Sequence, residues 1–93
     1  MVNSRQCYET ILSMLRQLPK LRLNAVDADS ARFFNLNKDF YFIIEVSDVK
    51  NIVKFTKVPT KFNQSIVLDC SDHGYEGLDQ QAWKEILTGM DFL

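Results

Sequence analysis

Apolar side chains recur at three- and four-residue steps in the first part of the chain, at Cys7, Tyr8, Ile11, Leu12, Leu15 and Leu18. That spacing places them on one stripe of a helix running to about Gln17. Asn3 or Ser4 fits its N-cap, and Gln6 resembles the reciprocal half of a capping box. Pro19 disfavours helical geometry at Leu18 and so ends the segment. The pattern then changes to alternation. Leu21, Leu23 and Ala25 alternate with Arg22 and Asn24, which predicts a strand over Leu21–Val26. Asp27-Ala28-Asp29-Ser30 reads as a turn, because Asp and Ser side chains bond to their local backbone. A second strand is expected over Ala31–Leu36, with another turn at Asn35-Leu36-Asn37-Lys38.

The clearest strand is Asp39–Ser47, with Phe40, Phe42, Ile44 and Val46 on one side and Tyr41, Ile43 and Glu45 on the other. After Asp48-Val49-Lys50, the stretch Asn51–Lys57 sets Val53 and Phe55 against Ile52, Lys54 and Thr56. Pro59 and Asn63 mark a longer turn, and Ser65–Cys70 completes the series. A second helix is expected over Asp79–Met90. Asp79 suits its N-cap, Leu78 and Trp83 fit a hydrophobic staple, and Gly89 fits its termination. Its stripe is Trp83, Ile86, Leu87 and Met90.

The expected fold class is therefore α+β: an N-terminal helix, a four- or five-stranded mainly antiparallel sheet, and a C-terminal helix. Strand runs this close together leave room only for hairpin connections. Both helical stripes can cover one sheet face, made of Phe40, Phe42, Ile44, Val53, Phe55 and Leu68. The reverse face then shows Tyr41, Ile43, Ile52 and Val67 among Glu45, Lys54 and Thr56. For the ending Met90-Asp91-Phe92-Leu93 three roles stay open: packing on the core, docking on a partner, or marking a truncation.

Composition narrows the classes without choosing one. Ninety-three residues, 46% of them hydrophobic, fit a single domain over 1–93. The longest uninterrupted apolar stretch, Phe40–Ile44, is far short of the ~20 residues of a membrane span, and no secretory leader is visible in 1–15. These features, with Cys7 and Cys70 read as free thiols, point to a soluble chain in a reducing cytoplasm. The net charge of −1 is unevenly spread. Lys50, Lys54, Lys57 and Lys61 stand in 50–68 without an acid, while Asp69, Asp72, Glu76, Asp79, Glu85 and Asp91 face Lys84 alone in 69–93.

Candidate chemistry is thin. Cys70, His73 and the neighbouring Asp69 and Asp72 supply part of a zinc set, but no second Cys/His pair completes it. Asp27 and Asp29 imitate the start of a calcium loop that Ala31, Arg32 and Lys38 do not continue. No activated nucleophile, carboxylate pair or glycine-rich phosphate loop is recognisable, so no enzyme and no cofactor or metal site is expected. The four lysines with Phe55 and Phe62 hint at single-stranded nucleic acid, but Phe55 points away from Lys54, so that partner is disfavoured.

Over about a seventh of the chain, Gly77-Leu78-Asp79-Gln80-Gln81-Ala82-Trp83-Lys84-Glu85-Ile86-Leu87-Thr88-Gly89 resembles the leucine-aspartate-to-tryptophan helix of the barstar family of ribonuclease inhibitors. The Asp-to-Trp spacing is one residue longer here, and the element stands at the chain's end, so shared helix-start chemistry accounts for the likeness. It still brings an inhibitor or immunity role into view, with the acidic segment 69–91 blocking a basic target.

The leading expectation is a non-enzymatic protein-interaction module using its exposed sheet face or edge, with another protein or a second copy of itself as partner. Its candidate contact residues are Tyr41, Ile43, Ile52 and Lys54 on the sheet, and Asp72 and Glu76 in the acidic loop. The inhibitor reading and a weak single-stranded nucleic-acid binder are the alternatives.

Overall fold

The structure is a computed structural model that describes residues 3–38, 40–58, 65–71, 73–75 and 77–93. Helix α1 spans Ser4–Arg16, and Asn3 is its cap, its side chain accepting from the Gln6 amide. Ser4 is buried instead, its amide donating to Asn51 Oδ1 at 2.7 Å and its hydroxyl to the Ser47 carbonyl at 3.2 Å. Five strands follow: β1 (Leu21–Val26), β2 (Ser30–Asn35), β3 (Phe40–Ser47), β4 (Ile52–Val58) and β5 (Ser65–Asp69). After a single 3₁₀ turn at His73–Tyr75, helix α2 covers Gln80–Gly89, with Asp79 accepting from the Ala82 amide as its cap.

The sheet is an antiparallel meander in the order β1-β2-β3-β4-β5. Helix α1 packs across β1, β3 and β4, and α2 packs beside α1. One contiguous core results. It joins Ile11 and Leu15 of α1, Phe33 of β2, Phe42 and Ile44 of β3, Val53 and Phe55 of β4, Leu68 of β5, and Trp83 and Leu87 of α2. The two helices thus cover the sheet face that the alternation of β3 and β4 marks out. Met14, absent from the expected stripe, is buried, while Leu12 and Leu18 are only half-buried.

Several local expectations change. Asn35, read as the start of a turn, closes β2 and is completely buried, while Leu36 lies exposed in the turn. Asn35 Nδ2 donates to the Phe92 carbonyl at 3.3 Å and its Oδ1 accepts from the Asn37 amide at 2.9 Å. Gly89 does not end α2 by a left-handed turn. Asp91 does so, with φ +63°, while the Phe92 amide donates to Leu87 and the Asp91 amide to Thr88. That pair of bonds is a Schellman motif, which satisfies the last helical carbonyls and reverses the chain.

The reversal decides the fate of the C-terminal residues. They pack on the core: Phe92 lies against Phe42 and Phe55, with ring centroids 5.9 and 5.3 Å apart, and Leu93 is buried with it. Asp91 pairs with Lys38 and Lys57, and the Lys57 ammonium sits over the rings of Phe40 and Phe92. At the other end of the sheet Arg5 binds the Ala28 carbonyl, Asp29 and Asp48, tying α1 to the β1–β2 and β3–β4 hairpins. The second hairpin turns at Asn51, whose φ of +53° is one that Asn tolerates better than most residues.

Candidate interaction surface

With α1, α2 and the last residues on one side of the sheet, none of the described elements covers the other side. The pairing register lays this outer face out in rows. Arg22, Phe34, Tyr41 and Val58 form the first, running from β1 to β4. Ala25, Arg32, Ile43, Thr56 and Ser65 form the second. Glu45, Lys54 and Val67 come next, and Ile52 beside Asp69 stands at the far end.

Tyr41, Ile43, Ile52 and Lys54, named from sequence, therefore share one face but not one point on it. All four are half-buried. Tyr41 and Ile43 lie in the aromatic half of the face, and Ile52 lies near the acidic corner. Asp72 and Glu76 lie outside the described residues. Phe34 is the residue that sequence reasoning missed. Its ring meets that of Tyr41 at a centroid distance of 4.8 Å, tilted by 51°. The alternation of Arg32, Phe34 and Ala31, Phe33 in β2 carried a signal for its outward direction, but only the register places it beside Tyr41.

Arg32 extends its guanidinium over the Tyr41 ring, 5.7 Å from the centroid, a geometry in which the cation meets the negative face of the ring. Arg32 and Arg22 are both exposed, and neither has a carboxylate partner among the described residues. At the β1–β2 end of the face a shallow pocket of about 170 Å³ lies among Ala25, Val26, Ala31, Arg32 and Ile43, with Asp27 at its hairpin end. A bulge between Leu23 and Ala25 shifts the register of β1 beside it. Bulges of this kind also blunt an edge against pairing with another strand.

Several other charged groups are bonded within the fold. Asp69 accepts from the Ser71 hydroxyl at 2.6 Å and its amide at 3.0 Å, which holds its carboxyl below the usual range. Asp79 caps α2, and Asp91 bonds to Lys38 and then Lys57, which lowers its pKa in the same way. Asp69, Asp79 and Asp91 of the acidic segment are thus bonded within the fold. The lysines are also dispersed: Lys54 is on the outer face, Lys57 on the core side, Lys50 at a hairpin tip, and Lys61 lies outside the described residues.

The cysteines sit in the core. Burial first, then the neighbouring Cys7, pushes the Cys70 thiol up to about 12. A thiol that stays protonated at neutral pH is a poor nucleophile. Among the described residues no group of three or more His, Cys, Asp or Glu side chains is placed to hold a metal ion. Among them, too, no helix is long and apolar enough to cross a membrane. No family model, curated protein or solved structure matches the chain.

Proposed function

We propose that this chain is a protein-interaction module that binds through the outer face of its sheet. The observation that carries this reading is an open face set with Phe34, Tyr41, Ile43, Ile52, Val58 and Val67, on the side away from both helices and the C-terminal residues. Antiparallel sheets often leave one face wet, and such faces are usually polar. Here Phe34, Tyr41, Ile43 and Val58 adjoin one another on three adjacent strands, as in the centre of a contact surface, while Ile52 and Val67 stand beyond Glu45 and Lys54. The buried, protonated Cys70 and the internally bonded carboxylates favour binding over catalysis.

A charge placed in the middle of the face tests the reading. Partners captured from native lysate by the wild-type chain should be lost with Ile43→Glu and kept with Val49→Glu, because Val49 is 98% exposed at a hairpin tip away from the face. Light scattering across concentration, run on the same variants, shows whether the partner is a second copy. If capture and oligomeric state are identical in Ile43→Glu and wild type, the outer face is not the binding surface.

A further inference from the structure

Resting on that reading, we infer that the aromatic half of the outer face docks an acidic–apolar peptide segment: an aliphatic or aromatic anchor flanked by carboxylates. Three features converge there. Phe34 and Tyr41 form an apolar floor of two mutually tilted rings. The shallow pocket beside Ala25, Val26 and Ile43, at about 170 Å³, has room for one anchor side chain. Arg22 and Arg32 frame the floor with two guanidinium groups that no carboxylate of the described chain engages.

The spacing of the arginines sets the pattern they recognise. Arg22 pairs in register with Phe34, which is two residues along β2 from Arg32. Two residues along the strand and one strand across, the two backbones stand roughly 8 Å apart, a gap that the long arginine side chains bridge to carboxylates two positions apart in an extended segment. Arg32 is pre-oriented by Tyr41, which lessens the ordering cost of a bidentate contact.

A polyanion fits less well, although arginine beside aromatic rings also suits single-stranded nucleic acid. Asp27 closes the pocket at the hairpin end, Glu45 follows in the next row, and Asp69 stands at the far corner. A phosphate backbone continuing in those directions meets three carboxylates. A short peptide anchored in the pocket meets two of them, Asp27 and the Glu45 that pairs with pocket-lining Ser30, and stops short of Asp69.

The test is selection from a displayed library of random twelve-residue peptides, followed by titration of the winning sequences against purified variants. The expected result is enrichment of Asp or Glu within two residues of Leu, Ile or Phe. Arg22→Gln and Arg32→Gln should each weaken binding about tenfold, the size expected for losing one charge-assisted contact. Arg32→Lys should recover only part of it, because the planar fork and its stacking on Tyr41 are lost. All three changes are at exposed positions, and unchanged circular dichroism and unfolding midpoints establish that the fold is kept.

Peptides that need Ile43 but show no acidic enrichment and no dependence on Arg22 or Arg32 overturn this inference and leave the outer face as the binding surface. Failure to select any peptide, or peptides indifferent to Ile43→Glu, overturns this inference, and the second outcome counts against the face itself. A twelve-nucleotide oligo-dT that binds more tightly than the selected peptides and depends on both arginines overturns it in favour of nucleic acid.

Discussion

Truncating Phe92 to alanine is the sharpest test of how the C-terminal residues are held. Phe92 is 1% exposed and touches Phe42 and Phe55 from one side while the Lys57 ammonium lies 5.4 Å from its ring centroid. Removal of a buried phenyl costs about 3–5 kcal/mol, combining lost transfer energy with the cavity left behind. A domain of 93 residues has a total stability of roughly 5–14 kcal/mol, at about 0.05–0.15 kcal/mol per residue. Phe92→Ala therefore takes away a large share of it and lowers the melting temperature by at least about 12 °C.

Urea unfolding followed by Trp83 fluorescence measures this, with an unchanged m-value showing that the change lies in stability. Asn35→Ala is the companion variant. It unpairs the Phe92 carbonyl and the Asn37 amide, costing about 1–3 kcal/mol. Because both changes act on one clasp, the double variant should lose less than the two single losses added together. A Phe92→Ala protein within about 1 kcal/mol of wild type would refute the reasoning, since a side chain so placed cannot leave at so small a cost.

The other expectations concern protons and one hydroxyl. Asp48, bonded first of all by Arg5, is held below the usual carboxylate pKa, as are Asp69 and Asp91. Their stabilising effect is complete above the unfolded value of about 4 and is lost as pH falls through the lowered folded values. Arg5→Ala should thus shrink the drop in urea midpoint between pH 6 and pH 3, and an unchanged drop refutes the pairing. Cys70 acts in the opposite direction. Its raised pKa means the unfolded chain ionises first, so stability falls as pH rises from about 8.5 toward 12. Disulfide-exchange reagents at pH 8 should label Cys7 and Cys70 only at the rate of unfolding, and rapid labelling of the native protein contradicts their burial. The Tyr8 hydroxyl is buried without a partner among the described residues, so Tyr8→Phe should leave stability unchanged or raise it by up to about 1 kcal/mol. A calorimetric loss of more than that would show that the hydroxyl is satisfied.

The order of elements and the identity of the covered sheet face were legible in the chain. Periodicity is a local property: the alternation of Phe40, Phe42, Ile44 and Val46 with Tyr41, Ile43 and Glu45 forces the first set to one side whatever the neighbours are. The same holds for the helix start at Asp79, where a side chain bonds an amide three residues on. Gly89 misled for a local reason as well. Glycine is the commonest residue for a left-handed cap, but here Gly89 is the last helical residue and Asp91 takes that conformation, with Lys38 and Lys57 bonded to its carboxylate.

Tertiary structure decided what periodicity does not encode. Which outward residues become neighbours depends on register between strands, and only that set Phe34 against Tyr41 and Arg22 beside Phe34. The burial of Asn35 and the docking of Phe92 join positions 57 residues apart in the chain, a separation beyond the reach of any window of sequence. The amino-acid order thus determined the elements and their inward sides, because backbone geometry converts spacing directly into direction. The candidate surface was decided by hydrogen bonding and packing between distant segments, which fix its rows, its pocket and the place of its two arginines.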